Sequence, residues 1–539
     1  MRLRHLSYVE GNLKDLRSMG IYKNMTEGRA RLSSSSVQRR PTMRIIKLTI
    51  SLLLLVALAF APVADCKVDR FEPIRAQIRQ RLAQQRIPSI SVAVARGNQI
   101  IWEEGFGWAD RENHIPATPN TMYTLGSTSK PMTATAIMLL RERGLLNLDR
   151  PINDYLGDAK LVARVGNVSE ATVRRVAQHT AGLPGYYETF YPDEPEKPPS
   201  MDEVILHYGN LVFPPGERFN YSNLDYGILG YVISRTSGKD YADFMHEEVF
   251  LPLGMSHTCV LTCTGLGRYR AVRYFLDGSR LPDYMTPHPA ASDVYASAHD
   301  LVRFGMFHLK AHVTDQKSLL SNQTIDEMQG STVPMGGSNS YGSGWIISRD
   351  SKGRRRVSHG GAGAGVDTQL TLVPEEKLAV AVLINTNIDG HISGEIADAI
   401  LDLLLGDKSK GRPALAADNQ ATSVKESGLP GKLLGTWAGF VHTYKRNLPV
   451  TLWFKESGDV HMQLSNQLKT LINDARFEKG TFTGRMTGDI GTPDANRRPY
   501  YLDLNVTLRG EVLNGVLNVI GRHPSRGVGL GYWVEFKRS

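Results

Sequence analysis

The sequence predicts an α+β fold: an antiparallel sheet flanked by helices, followed by a C-terminal all-β domain. "ISVAVARGNQIIWEEGFGWA" (residues 90–109) alternates around an Arg-Gly-Asn turn, and "GVDTQLTLVPEEKLAVAVLIN" (residues 365–385) contains two apolar strands joined by a Pro-Glu-Glu-Lys turn. Helical patterns lie between these two strand pairs. We therefore expect one sheet built from both ends of the region, with helices packed against it.

Apolar and polar residues alternate through much of the C-terminal segment, residues 432–539. In "LPVTLWFKESGDVHMQLS" the apolar residues lie on one face of two strands joined by a Ser-Gly-Asp turn, and "YLDLNVTLRGEVLNGVLNVIG" repeats the pattern. This predicts a small antiparallel barrel or sandwich. Such a domain would be either an independent ligand-binding module or an accessory domain that shields or shapes the cleft of the first domain. Its opening, "LLGTWAG", is similar to the Gly-x-Trp opening of lipocalin-like barrels.

The chain has 539 residues, which suffices for two or three domains. We assign residues 67–405 to the first domain. Residues 406–431 are polar, small and without a repeating pattern, and are therefore predicted to be a linker. Residues 1–42 are interpreted as a disordered or mis-annotated extension that precedes a later methionine, Met43.

Residues 43–66 are predicted to be a signal peptide. Arg44 and Lys47 precede an apolar run that is too short for a comfortable membrane span. We expect an exported protein that is periplasmic, secreted or associated with the cell envelope. An uncleaved signal anchor, which would attach the protein to a membrane, is the alternative.

The positive charge is concentrated at the N-terminus. Residues 1–47 hold eleven Lys and Arg and three acidic residues, so they carry +8 of the formal net charge of +9. The remainder of the chain is close to neutral, which argues against a nucleic-acid partner. Cys259 and Cys263 are predicted either to form a local disulfide or to remain free thiols, and no metal-binding motif is present.

Chemistry is first indicated by "GSTSKPMTATAIMLL" (residues 126–140), in which Ser127 precedes Lys130 by three residues. Residues at this spacing share a helix face, so the ammonium group would lie near the hydroxyl. The helix N-terminus would also favour developing negative charge on Ser127. Serine is equally common as an ordinary helix cap, and this motif alone does not decide between the two roles.

Two further motifs follow in order: Tyr221-Ser222-Asn223, and then His359-Gly360-Gly361. Ser-x-x-Lys, Tyr-x-Asn and His/Lys-x-Gly in this order resemble the serine β-lactamase-related family, which includes class C β-lactamases, D-alanyl-D-alanine carboxypeptidases, D-aminopeptidases and esterases. Strings such as "QHTAGLPGY" and "VFLPLGM" support the resemblance, which covers about residues 70–405. It implies a β-lactamase/transpeptidase-like fold and acyl-transfer chemistry without a cofactor.

The resemblance assigns a role to each polar residue of the first two motifs. Ser127 is expected to be the nucleophile that forms an acyl-enzyme. Lys130 would stabilise charge in the transition state, and Tyr221 would act as the proton shuttle if the lysine lies close to it. Asn223 would bind Lys130 and the acyl amide of a small-molecule or peptide substrate.

The third motif departs from the pattern of many family members, because His359 replaces a lysine. An imidazole lacks a fixed positive charge at neutral pH, which would weaken recognition of a substrate carboxylate. We therefore expect a peptidase or an esterase rather than an efficient β-lactamase. Gly360 and Gly361 would let a substrate backbone approach closely, and the backbone N–H groups of Ser127 and Ala362 would form the oxyanion hole.

The remaining polar residues have simpler interpretations. His179 and Thr180 are predicted to be structural, and Asp225 and Glu217 to be capping or solvated. The tyrosine-rich segment "GYYETFYPDEP" (residues 185–195) is predicted to line the cleft. The alternative to an enzyme is a binding or regulatory protein built on a catalytically retired fold.

Overall fold

The computed structural model describes residues 69–311, 313–387, 391–406, 430–522 and 527–539. The predicted N-terminal extension and signal peptide, and nearly all of the predicted linker, lie outside the described residues. Residues Arg70–Ser539 form one compact unit. None of the helices in the described ranges has the length and apolar character that crossing a membrane requires.

The secondary structure alternates between helices and strands in the first domain and consists mainly of strands after it. The α-helices are α1 (Glu72–Gln85), α2 (Lys130–Glu142), α3 (Val173–Ala177), α4 (Met201–Tyr208), α5 (Asn223–Ser237), α6 (Tyr241–Met245), α7 (Pro289–Ser292), α8 (Ala298–His308), α9 (Asn322–Gly330) and α10 (Ile392–Leu405). The strands of the first domain are β1 (Ser89–Arg96), β2 (Gln99–Asp110), β3 (Ile115–Pro116), β4 (Met122–Thr124), β5 (Val162–Ala163), β6 (Tyr186–Glu188), β7 (Asn210–Leu211), β8 (Thr258–Val260), β9 (Val294–Ser297), β10 (Val333–Gly336), β11 (Asn339–Tyr341), β12 (Ile346–Arg349), β13 (Arg355–Gly363), β14 (Val366–Val373) and β15 (Leu378–Ile384). The C-terminal strands are β16 (Gly435–His442), β17 (Asn447–Phe454), β18 (Val460–Leu464), β19 (Thr470–Leu471), β20 (Asn473–Glu478), β21 (Thr481–Met486), β22 (Tyr500–Arg509), β23 (Val512–Gly521) and β24 (Val528–Arg538).

The central sheet has the order β10-β11-β12-β13-β14-β15-β1-β2-β3, which joins the two predicted strand pairs. Strand β1 pairs antiparallel with β15, from Ile90 opposite Ile384 to Arg96 opposite Leu378. The predicted sheet built from both ends of the domain is therefore confirmed.

Strand β15 is buried on both faces of the sheet. Its alternate residues Ala379, Ala381 and Leu383 belong to the core formed with α2 and α8, whereas the intervening residues pack with α1 and α10. A strand covered on both sides has no solvent-facing position, which explains why its sequence is continuously apolar.

The C-terminal strands form a nearly closed barrel of order β19-β18-β17-β16-β24-β23-β22-β21-β20. Alternate residues fill its interior, among them Trp437, Leu452, Met462, Leu504 and Phe536. This confirms the predicted all-β domain and identifies it as a barrel rather than a sandwich. Its likeness to lipocalins stays a prediction.

The barrel is joined to the first domain by a shared strand. Strand β6 of the first domain pairs antiparallel with β24, placing Tyr187 opposite Gly529. A small apolar cluster strengthens the contact, in which Phe213 of the first domain packs with Val516 and Trp533 of the barrel. The two domains therefore meet at β6 and Phe213, which both precede Tyr221 in the chain.

Cys259 and Cys263 form a disulfide within the first domain. Of the two alternatives left open by the sequence, the local disulfide is the one that the structure contains.

Candidate active site

Ser127 lies in a 3₁₀ turn, Gly126–Ser129, that leads directly into helix α2. The turn is held from both sides of Ser127: the Thr128 hydroxyl bonds that of Thr368 on β14 at 3.0 Å, and Ser129 Oγ accepts a bond from the Val294 backbone N–H. Ser127 itself is half-buried. The turn therefore fixes the backbone and leaves the Ser127 hydroxyl available to other groups.

The Lys130 ammonium group contacts the Ser127 hydroxyl, as the spacing predicted. Lys130 Nζ lies 3.1 Å from Ser127 Oγ, 2.7 Å from Asn223 Oδ1 and 3.0 Å from the carbonyl oxygen of Ala291. The side chain is fully buried, and this desolvation lowers the pKa of Lys130 to about 7, although the nearby carboxyl group of Asp293 opposes the shift. A substantial fraction of Lys130 is therefore neutral at physiological pH.

Tyr221 and Asn223 enter the same site from the start of helix α5. Ser222 caps this helix by accepting a bond from the Leu224 N–H, which leaves its two neighbours free to face Ser127 and Lys130. The Tyr221 hydroxyl donates to Ser127 Oγ over 2.8 Å. Desolvation of the hydroxyl raises the pKa of Tyr221 even though the residue as a whole is partly exposed, and the hydrogen bond to Ser127 partly offsets this shift, so the phenol is protonated at neutral pH.

Strand β13 passes close beside the serine turn. A Cβ on Gly361 would lie 1.9 Å from the carbonyl oxygen of Leu125, so only glycine permits this approach. A Cβ on Gly126 would lie 3.4 Å from the backbone nitrogen of Ala362. The Ala362 N–H therefore lies close to Ser127, as the predicted pair of oxyanion donors requires. Gly360 contributes less to this approach, because its Cβ would meet the far end of the Gln369 side chain at 3.0 Å and the Thr368 carbonyl oxygen at an ordinary 3.5 Å.

The His359 ring is directed into the protein rather than presented to the nucleophile. Its Nε2 lies 3.1 Å from the Tyr341 hydroxyl, and its Nδ1 lies 2.8 Å from the carbonyl oxygen of Gly360. Burial, together with the nearby charge of Lys130, lowers the pKa of His359 to about 3. The ring is therefore neutral and supplies no positive charge for a substrate carboxylate.

The position of Asp225 near a helix start suggested a capping or solvated side chain. The structure shows instead that Asp225 is fully buried. Its Oδ2 lies 2.6 Å from Nδ1 of His179, which also receives the Ser222 backbone N–H at 3.3 Å. Burial raises the pKa of Asp225 and lowers that of His179, and each shift favours the neutral form, in which the carboxylic acid would donate to Nδ1. Sequence spacing gave no signal for this pair, because 46 residues separate its members.

The His179–Asp225 pair packs beneath Tyr221. The His179 ring centroid lies 4.5 Å from that of Tyr221 and 4.9 Å from that of Tyr341, which bonds His359. His179 is therefore structural, as predicted. Thr180 is also buried, and its hydroxyl bonds the Arg175 carbonyl oxygen at 3.4 Å. Glu217 forms a partly exposed ion pair with Arg509 of the barrel.

The tyrosine-rich segment divides between two environments. Tyr186 and Tyr187 line a cavity together with Tyr221 and Asn223. Tyr191 is buried away from that cavity, with its ring 5.6 Å from Tyr284. The prediction that this segment lines the cleft therefore holds for its first two tyrosines and is wrong for the third.

Within the described ranges, no group of three or more His, Cys, Asp or Glu side chains is arranged to hold a metal ion. The site geometry consists instead of a hydroxyl, an amine, a phenol and an amide in direct contact. This arrangement defines the class of protein as a serine hydrolase with a β-lactamase-like fold.

Comparison with known proteins agrees with this class. The beta-lactamase family model matches residues 74–405, more than half of the chain. The chain therefore belongs to the beta-lactamase family, whose members are serine hydrolases. Among curated proteins it is similar to protein flp of Staphylococcus aureus (strain N315), with 25% identity over 325 residues that cover 59% of this chain and 64% of flp. The chain thus spans less than two thirds of that relative's length.

Solved structures show how far the fold likeness extends. An octameric penicillin-binding protein homologue from Pyrococcus abyssi covers 86% of this chain and 99% of its own, with a TM-score of 0.56 and 23% identity. A class C beta-lactamase covers 64% of this chain and 97% of its own, with a TM-score of 0.53 and 17% identity. At these identities the likeness establishes the fold alone.

Proposed function

We propose that this protein hydrolyses peptide amides or esters through an acyl-enzyme on Ser127. The observation that carries the proposal is the position of Ser127 Oγ, 3.1 Å from Lys130 Nζ and 2.8 Å from the Tyr221 hydroxyl. A serine between an amine and a phenol has both a proton acceptor and a proton donor at hand. An ordinary helix cap needs neither.

Lys130 is the group best suited to accept the serine proton. A neutral amine has two N–H bonds and one lone pair, and Asn223 Oδ1 and the Ala291 carbonyl oxygen accept the two hydrogens. The lone pair is then directed to the third neighbour, Ser127 Oγ. Because the pKa of Lys130 is about 7, this state is populated at neutral pH.

Tyr221 completes the proton transfers. As Ser127 Oγ attacks the substrate carbonyl carbon, its proton passes to Lys130 and the Tyr221 phenol donates its own to the leaving amine or alcohol. The proton on Lys130 then restores Tyr221. In the second half, a water gives a proton to the same pair and its oxygen attacks the acyl carbon, and Ser127 departs with a proton. The Ser127 and Ala362 N–H groups stabilise the oxyanion in both halves.

A peptidase or an esterase is favoured over a β-lactamase because the wall of the site lacks a fixed cation at His359. A carboxylate brought to this strand would lose hydration without gaining a charged partner.

We further propose that the protein is exported and acts outside the cytoplasm, with residues 43–66 either removed or retained as an anchor. Fractionation of cells followed by N-terminal sequencing of the protein distinguishes these fates.

The decisive experiment is the intact mass of the protein after exposure to a fluorophosphonate. We expect one adduct on the parent and none on Ser127→Ala. Ser457→Ala, which changes an exposed turn in the barrel, serves as the matched control and should label like the parent. Absence of an adduct on a folded parent would overturn the proposal and favour a retired fold that binds without turnover. Unlabelled parent protein is then screened with D-amino peptides and short esters.

A further inference from the structure

A cavity of about 320 Å³ lies between the first domain and the barrel, beside the proposed catalytic residues. Its lining from the first domain is Gly185, Tyr186, Tyr187, Phe213, Asn220, Tyr221 and Asn223. Its lining from the barrel is Asn505, Val516, Asn518, Ile520 and Gly529. Since Tyr221 bonds Ser127 and Asn223 bonds Lys130, two residues of the lining connect the cavity to the proposed nucleophile and its base.

The barrel contributes the outer face of two neighbouring strands. On β23 the residues Val516, Asn518 and Ile520 alternate with interior residues, and Asn505 on β22 lies opposite Val516. Outward positions of a barrel strand normally face water. Here they face the first domain instead, because β6 pairs with β24 and brings the two surfaces together.

The lining is polar without being charged. Among the twelve described residues that form it, four are asparagines, three are tyrosines, and none is Asp, Glu, Lys, Arg or His. The side-chain oxygen of Asn505 is buried and accepts no hydrogen bond within the described part of the chain. A buried amide oxygen in this state costs free energy, which a bound N–H donor would recover.

From this geometry we infer that the cavity is an acyl-group subsite, completed by Asn505 and Asn518 of the barrel, that selects an uncharged group bearing an amide. The inference rests on the proposed function and names its substrate class. A carboxylate or an ammonium group entering this lining would be desolvated without a countercharge. A carboxamide can exchange hydrogen bonds with asparagine side chains and pack against the tyrosine rings.

The test compares p-nitrophenyl esters whose acyl chains have similar length and differ at the far end. Adipamic acid supplies a carboxamide, adipic acid a carboxylate and 6-aminohexanoic acid an ammonium group. Acetate is too short to reach the subsite. We expect the full-length parent to prefer the carboxamide ester over the carboxylate ester by at least about tenfold in kcat/KM. Equal kcat/KM values for these two esters would overturn the subsite.

Substitutions in the barrel should change this preference without changing the chemistry. Asn505→Asp and Asn518→Asp should lower kcat/KM for the carboxamide ester and raise it for the ammonium ester, each relative to kcat/KM for acetate. Asn466→Asp, in an exposed turn of the same barrel, is the charge-matched control and should behave like the parent. An equal loss of kcat/KM for acetate in the Asn505 and Asn518 variants would contradict the assignment of these residues to the subsite. The same change of preference in Asn466→Asp would also contradict it.

Two further measurements distinguish failure of the subsite from misfolding of a variant and from failure of the proposed function. If Asn518→Asp does not fold, as judged by fluorophosphonate labelling of Ser127, Asn518→Ser replaces it and should lose the carboxamide preference alone. If the parent is not labelled, the proposed function fails, and binding of hexanamide and hexanoate to the parent by calorimetry then tests the cavity by itself. Tighter binding of hexanamide supports the subsite, and equal or no binding of the two overturns it.

Discussion

The surroundings of Ser127 and the walls of the acyl subsite are built in different ways. Ser127 and its partners all come from one domain, and Lys130 is held by three hydrogen bonds in a fully buried position. The subsite instead needs two domains, and its barrel side is the outer face of strands joined to the first domain through β6. Reactivity is therefore set inside one core, whereas substrate choice depends on how two surfaces meet.

The largest expected effect lies on the reactive side of this comparison. Lys130→Arg should reduce kcat/KM for p-nitrophenyl acetate by at least about 10³-fold, because a guanidinium stays protonated and cannot accept the serine proton. In the parent, kcat/KM should rise as pH increases through about 7, the pKa to which burial lowers Lys130, since the neutral fraction grows. Lys310→Arg, at an exposed position just after helix α8, is the control. A parent pH profile that stays flat through this range would contradict the role of Lys130 as the base.

The next effect concerns the close approach of β13 to the serine turn. Gly361→Ala places a Cβ against the Leu125 carbonyl oxygen, so the strand must move and displace the Ala362 N–H. We expect a loss of about 10²-fold in kcat, comparable to removing one oxyanion donor. Gly363→Ala, two residues along the same strand, has no atom nearer than 3.6 Å to the new Cβ and should retain activity. Similar rates for the two variants would show that the oxyanion geometry does not depend on this contact.

A smaller and more selective effect should follow when the attachment of the barrel is weakened. Arg497 bonds Glu188 of β6 at 2.7 Å, and both side chains are buried. Arg497→Ala leaves the Glu188 carboxylate without this partner and should cost roughly 3–5 kcal/mol of stability. Where the protein remains folded, KM for the carboxamide ester should rise while acetate turnover persists.

The control for this variant is a second ion pair on the barrel. Arg485→Ala removes a half-exposed pair with Asp474 and should change the free energy of unfolding by less than about 1 kcal/mol. Thermal unfolding measures the stability of both variants, and ester kinetics measure their KM for the carboxamide ester and their acetate turnover. A proportional loss on both esters in Arg497→Ala would mean that the barrel supports the fold rather than the subsite.

The smallest effect tests the protonation of the pair beneath Tyr221. Burial raises the pKa of Asp225, so the folded state holds a proton that the unfolded state releases above about pH 4, and this contribution to stability falls as pH rises. Asp225→Asn keeps the donor to His179 without needing a proton, so its melting temperature at pH 8 should equal or exceed that of the parent. Asp225→Ala removes the donor and should cost about 2 kcal/mol. A strongly destabilised Asp225→Asn would indicate an ion pair instead.

The sequence was sufficient to predict the strand pairs and the contact between Ser127 and Lys130, because both follow from local patterns. In contrast, Tyr221 and Asn223 were placed in the site only through the family resemblance. Ser127 and Lys130 are three residues apart at a helix start, and the two strand pairs that close the sheet alternate visibly. The order of the three motifs then identified the family that the comparisons confirm.

What the sequence could not predict depends on contacts between distant segments. Asp225 sits in the first turn of a helix, where acidic residues are usually exposed, and only the packing of His179 against it shows that it is buried. The ring direction of His359 is likewise set by Tyr341. Asn505 and Asn518 occupy outward positions of a barrel, which in sequence are indistinguishable from positions that face solvent.

The pairing of β6 with β24 also determines the point in synthesis at which the proposed acyl subsite can form. Thr189, just after β6, bonds the carbonyl oxygen of Gly527, and 338 residues separate the two along the chain. At ribosomal rates of about 5–20 residues per second, that interval lasts on the order of tens of seconds. Every residue of the nucleophilic centre has been translated well before the barrel surface that completes the acyl cavity exists. A nascent or prematurely terminated chain would therefore carry the reactive serine without the means to choose its substrate.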